Sequence, residues 1–189
     1  MKIPAWMVKL VGGLYLDKNP LWVVYQPDVH MVKGAEIRRI LNVLKPGDII
    51  LRRFNRYVSS MFIPGFWTHA CIYMGNDTIT HAVGEGVCQE DILDFCRCDC
   101  VAVLRFKNLT PDLLNKVCAS ANEMVKDDIQ YDYAFTDNNG TVYCTELVNI
   151  CFNNAFIDDF SEVAGIHMII PDHIYESKQV ELILEVKHK

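Results

Sequence analysis

The stretch Trp67-Thr68-His69-Ala70-Cys71-Ile72-Tyr73-Met74-Gly75-Asn76-Asp77-Thr78-Ile79-Thr80-His81-Ala82-Val83 reads as a β-hairpin. Two runs rich in β-branched and aromatic residues flank Gly75-Asn76-Asp77, a turn signal. Side chains alternate faces along a strand, and residues directly opposite share a face. If Gly75-Asn76-Asp77 is a three-residue loop, Met74 pairs with Thr78 and His69 with Val83, so His69 and His81 share a face. A two-residue Asn76-Asp77 turn without a bulge sends them to opposite faces. The three-residue loop is therefore the expectation that makes the two histidines a working pair.

Downstream, the turn signal Asp137-Asn138-Asn139-Gly140 leads into Tyr143-Cys144-Thr145-Glu146-Leu147-Val148. Leu147, Val148, Cys151 and Ala155 recur at helical spacing, which puts Cys144 at a helix start. Unpaired backbone N–H groups and the positive dipole end there lower a thiol's pKa, so the position predicts a thiolate. A cysteine nucleophile needs a base, and the base needs a third group to hold its ring. His69 and His81 are the candidates. His30, His167, His173 and His188 have no comparable setting.

Around these two stretches the pattern alternates between helices and strands. A helix is expected from Met31 to Leu44, with Ile37, Ile40, Leu41 and Leu44 on one face. Pro46-Gly47-Asp48 stops it and Ile49-Ile50-Leu51 begins a buried strand. Phe54 to Phe66 reads as a loop or short helix. Gly84-Glu85-Gly86 makes a turn, Asp91 to Phe95 one helical turn, and Val101 to Phe106 a strand. Thr110-Pro111 opens a helix carrying Leu114, Val117, Cys118, Ala121 and Val125 inward. Tyr131 to Phe135 is a short aromatic segment. A short helix follows Pro171, and Val180 to Val186 forms a last strand. The order predicts an α+β fold with a mostly antiparallel sheet packed against helices.

Composition narrows the function classes. The chain has 189 residues, 51% of them apolar and 22% charged, which suits a globular domain. A net charge of −6 without a basic block argues against nucleic acid as a partner. Eight cysteines in a chain this rich in core residues do not call for a disulfide scaffold. Residues 1–9 are interrupted by Pro4 and Lys9 and do not read as a signal peptide. No run approaches bilayer length. The expectation is a cytoplasmic protein with free thiols and no cofactor. Residues 1–30, with Trp6, Leu14, Tyr15, Leu16, Trp22 and Tyr25, form an N-terminal extension expected to pack on the domain 31–189. Peripheral membrane contact is the alternative for that segment. Cys96, Cys98 and Cys100 would share one face of a strand, but they lack the Cys-x-x-Cys pair usual in zinc sites. No metal site is expected there, and the acidic pairs Asp127-Asp128 and Asp158-Asp159 lack calcium-loop spacing.

Five segments in order then resemble a known family. Pro46-Gly47-Asp48-Ile49-Ile50, Trp67 to Gly75, Gly84-Glu85-Gly86-Val87, Tyr131-Asp132-Tyr133 and Tyr143 to Val148 are similar to the circularly permuted papain-like enzymes of the NlpC superfamily, with YaeF/YiiX-like amidases as the nearest branch. Pro171-Asp172 and the last strand also fit. The resemblance implies a permuted papain-like fold with the histidine strands ahead of the nucleophile helix. By position it gives Cys144 as nucleophile, His69 as general base and His81 as the residue that orients it. The amidase branch usually has Glu at the third place, and a His there looks like lecithin:retinol acyltransferase and its relatives. The implied chemistry is acyl transfer through a thioester, with the Cys144 N–H as oxyanion donor. Tyr143, Tyr131 and Trp67 are candidate substrate-binding residues. The leading reading is a cysteine hydrolase cleaving an amide of the peptidoglycan-peptide type. The alternatives are an acyl-lipid hydrolase or acyltransferase, and a catalytically idle binding module.

Overall fold

The computed structural model describes residues 30–55, 63–136, 139–156, 161–163 and 165–188, together with a short antiparallel ladder of β1 (Tyr15–Leu16) and β2 (Val23–Val24). The rest of the 1–30 extension lies outside the described residues, as does the middle of the Phe54–Phe66 segment. The next elements are α1 (Gly34–Val43), β3 (Ile49–Arg53), β4 (His69–Gly75), β5 (Thr78–Val83), β6 (Gly86–Asp91), α2 (Ile92–Phe95) and β7 (Cys100–Phe106). Then follow α3 (Pro111–Lys126), α4 (Cys144–Cys151), the pair β8 (Ser161–Val163) and β9 (Ile166–Met168), α5 (Pro171–Glu176) and β10 (Val180–Val186).

Six strands form one sheet in the order β10-β7-β3-β4-β5-β6, antiparallel at every junction. Alternation along the strands divides the core into two layers. Ile49, Leu51, Ala70, Ile72, Ala82, Ala102 and Leu104 face α3, α4 and α5 through Val117, Ala121, Leu147, Val148 and Ile174. Ile50, Cys71, Tyr73, Ile79, Val101 and Val103 face α1 and α2 through Ile40, Ile92 and Phe95. The sheet is covered on both sides, and the fold is α+β.

The hairpin reaches its register by a route different from the expected loop. Asn76 and Asp77 both have positive φ, at 49° and 59°, and form a two-residue turn closed by the Gly75–Thr78 pair. The register then shifts between Gly75 and Tyr73, leaving Met74 as the extra residue of a bulge. Beyond it Tyr73 faces Ile79 and Ile72 faces Thr80. Continued along the strands, that register sets His69 opposite Val83, as a three-residue loop would have done. The turn and the bulge each shift parity once, and the two shifts cancel.

Polar anchors hold the strand ends. Asp48 is fully buried, and its carboxylate takes both Arg105 Nε and Nη2 at 2.7 Å, with the Lys45 N–H at 2.8 Å. Asp172, in the first turn of α5, accepts the N–H groups of Phe66 and Trp67 at 2.8 Å each, fixing the entry to β4. Gly65, with φ of +95°, passes so close to that carboxylate that a Cβ would lie 2.4 Å from it. The Tyr133 hydroxyl donates to Gly84 O at 2.9 Å, and Val87 N–H to Ile129 O at 2.8 Å, tying the 84–87 turn to the aromatic segment.

Candidate active site

Helix α4 is buried on nearly all sides: every residue from Cys144 to Cys151 except Ile150 is buried. It begins where Tyr143, in extended conformation, gives its N–H to the Glu146 carboxylate at 3.4 Å. Thr145 Oγ1 donates to Ile169 O at 2.7 Å, and Asn149 Oδ1 accepts the Phe156 N–H at 2.9 Å. Leu147, Val148 and Cys151 pack into the core. Cys144 is therefore held at the helix start with little freedom, 6% exposed. Its thiol meets the backbone N–H of Ala70, the residue that follows His69 in β4.

Burial pushes the Cys144 thiol above its ordinary pKa. The N–H groups of Ala70, Thr145 and Cys144 itself, with the Arg52 guanidinium, oppose that rise without reversing it. The helix start alone predicted a lowered pKa, and this expectation is corrected. Desolvation of a thiolate inside a packed core outweighs the local dipole. The resting form is the neutral thiol.

His69 and His81 stand on the opposite layer of the sheet, beside α2. His69 Nε2 lies 3.1 Å from His81 Nδ1, and the rings meet edge to face with centroids 5.2 Å apart. Phe95 packs on both, at 5.9 Å from each. Burial holds His69 well below its usual pKa, helped by Arg52 and His81. Burial and Arg52 depress His81 to about 3. Both rings are neutral near pH 7, so one ring nitrogen of the pair donates and the other accepts. The histidine pair and the thiol thus belong to different layers and both adjoin the beginning of β4, where Ala70 belongs to the thiol's side and His69 to the other.

Two further residues of this site were not singled out by sequence reasoning. Arg52 faces His69 across the β3–β4 register and lies on the same layer. Its guanidinium sits 4.3 Å from the Phe95 ring centroid and donates from Nη1 to Phe95 O at 3.3 Å. Glu90 on β6 brings Oε2 to 3.7 Å from His81 Nε2 and 3.8 Å from Arg52 Nη1. The available signal was strand parity: an Arg two residues beyond buried Ile50 shares its face.

The other predicted residues are placed as follows. Tyr131 lies beside Cys144, its phenol pushed well above the usual value by burial first and by the neighbouring thiol next. Tyr143 is 1% exposed, its hydroxyl accepting the Ile169 N–H at 3.3 Å and its ring packing on Phe135. Trp67 is also 1% exposed, between Phe66 and Tyr175 with the Lys187 ammonium 5.3 Å from its ring. Cys96, Cys98 and Cys100 do not share a strand face. Cys96 caps α2, Cys98 lies in the connection, and only Cys100 belongs to β7, turned to the other layer. All eight cysteines are free. Among the described residues, no group of three or more His, Cys, Asp or Glu side chains is placed to hold a metal ion. Among them too, no helix is long and apolar enough to cross a membrane.

A sequence model of the permuted papain-like amidase enzymes, the YaeF/YiiX or C92 family, matches residues 43–183. Comparison with curated proteins gives no match. Among solved structures, the chain is similar to metalloprotein yiiX from Escherichia coli O157:H7, with a TM-score of 0.62 over 77% of this chain and 99% of that one. The two are 16% identical, and the likeness is one of fold.

Proposed function

The chain belongs to the permuted papain-like amidase family, and from that premise we propose that it is a cysteine hydrolase in which Cys144, His69 and His81 act together on an amide. The observation that carries this reading is the 3.1 Å contact of His69 Nε2 with His81 Nδ1, next in the chain to the Ala70 N–H that meets the thiol. His69 takes the Cys144 proton as sulfur attacks the carbonyl carbon, forming the C–S bond. The oxygen that gains charge is met by the Cys144 N–H, which points outward at the helix start. Collapse breaks the C–N bond, and His69 returns the proton to the leaving amine. Water then attacks the thioester with His69 as base, releasing a carboxylate and restoring the thiol. His81 holds the His69 ring throughout.

A small peptide with a peptidoglycan-type amide is the substrate class this family membership favours. The His–His pair, where a carboxylate is usual in the amidase branch, favours a second reading: an acyl-lipid ester, with hydrolysis or transfer to an acceptor. Incubation with a γ-D-glutamyl dipeptide and, separately, a short-chain phospholipid distinguishes them by the acyl adduct left on Cys144 in intact-mass spectra. An adduct from the dipeptide supports the amidase. One from the lipid alone moves the assignment to the ester class, and none from either removes the catalytic reading in favour of a binding module.

A further inference from the structure

Glu90 Oε2 is buried, accepts no hydrogen bond, and points between two nitrogens. We propose that Glu90 is the positioning residue that fixes the tautomer of His81 and, through it, the basic nitrogen of His69. The inference rests on the roles given above to Cys144, His69 and His81. A carboxylate only accepts. With Oε2 3.7 Å from His81 Nε2, a small side-chain rotation makes an N–H···O bond and keeps the His81 proton on Nε2. His81 Nδ1 is then a lone pair, so His69 must donate to it from Nε2. The remaining His69 nitrogen, Nδ1, is left as the lone pair that receives the thiol proton. In the opposite tautomer His81 Nδ1–H donates, His69 accepts at Nε2, and its Nδ1 already carries a proton and cannot serve as base. When His69 becomes an imidazolium, the Glu90 charge stabilises it through His81, and no second proton moves.

Other charges face Glu90. Burial raises its pKa most, Arg52 reaches it from β3 and favours the ionised form without reversing that rise, and Asp94 and Asp91 raise it further. Cys88 on its own strand is a neutral thiol near it. Arg52 Nη1 approaches the same carboxylate oxygen, Oε2, at 3.8 Å.

The test is the pH profile of Cys144 acetylation by p-nitrophenyl acetate, followed by p-nitrophenolate release and by the acetyl adduct on Cys144. E90Q keeps the shape, removes the charge, and presents an amide that accepts either tautomer. We expect the plateau rate to fall about tenfold. The acid limb is expected to move to lower pH by about half a unit, because loss of the negative charge weakens the base. E90D, which retains the charge, keeps the limb in place. A wild-type profile in E90Q overturns the proposal, and so does a lowered plateau with an unmoved limb, the mark of a merely structural role. Circular dichroism checks the fold. If E90Q does not fold, E90A decides by the same reading: an acid limb moved to lower pH supports the proposal, and an unmoved limb overturns it. H69A and H81A run alongside. Unchanged acetylation in both removes the underlying triad, whereas its loss in both with an unaltered E90Q removes Glu90 alone.

Discussion

The two layers of the sheet are built by different physics. The layer under α4 is apolar, with Ala70, Ile72, Ala82, Leu147 and Val148 closing around the helix that carries Cys144. The layer under α2 places His69, His81 and Arg52 around one aromatic ring, Phe95, with Glu90 beside His81 and Arg52. Cys144 is positioned by packing, and the histidine pair by charge and hydrogen bonding. A packed position tolerates pH and fails when volume is lost; a charged one tolerates small losses of volume and responds to every neighbouring titration.

The sharpest way to break the comparison is to remove one member from each layer. H69A should slow acylation of Cys144 by about a thousandfold while leaving the thermal midpoint near that of the parent, since His69 is half-buried at a strand end. L147A should do the reverse. It empties a fully buried site beneath α4 and should cost about 3 kcal/mol in urea unfolding. Its pH–rate profile should keep the parental limbs. Equal effects of both variants on rate and stability would mean that the layers are not separable.

What was legible in the sequence follows the same division. The last strand, Val180–Val186, and the start of α3 at Thr110-Pro111 stand where the residues put them, because apolar patterning and an N-cap are local signals. The Thr110 side chain does accept the Leu113 N–H, at 3.2 Å. The hairpin's parity was legible and its route was not: nothing in Met74 or Gly75 as residue types announces a bulge. Strand β6 escaped notice because Cys88-Gln89-Glu90 is polar, and an edge strand with one wet face has little apolar pattern to show. That strand carries Glu90. Arg52 was not singled out, since the sequence does not say that α2 folds back over it. The direction of the Cys144 shift was hidden for a related reason, because burial is a property of the finished packing and the helix start is visible locally.

A smaller effect separates the layers by pH. The folded-state pKa of His81, about 3, lies far below the ordinary 6.5 of an unfolded chain. Between those values the unfolded state binds a proton that the folded state refuses, so stability is full above pH 6.5 and declines as pH falls toward 3. The slope is about 1.4 kcal/mol per pH unit for one such group. Urea midpoints measured from pH 7 to pH 4.5 should fall accordingly, and H81N, which cannot titrate, should flatten the decline by that amount per unit. An unchanged slope in H81N would assign the loss to other groups.

The smallest expected effect, and the one that bears most directly on the charged layer, is that of Arg52. Its guanidinium depresses both histidines and, less strongly than burial raises it, the Cys144 thiol. R52Q removes that charge while keeping a side chain that can hydrogen-bond Phe95 O. All three groups should then bind protons more readily, so the acid limb, set by the histidine pair, and the alkaline limb, set by the thiol, should both move to higher pH. For a partly screened charge a shift of about half a unit is reasonable. E90Q shifts the acid limb the other way, and the opposition of sign is the discriminating feature. Loss of packing on Phe95 in either variant can lower the rate but cannot send the same limb in opposite directions. Parallel movement of the limb in R52Q and E90Q would show that the α2 layer, like the α4 layer, acts through its packing.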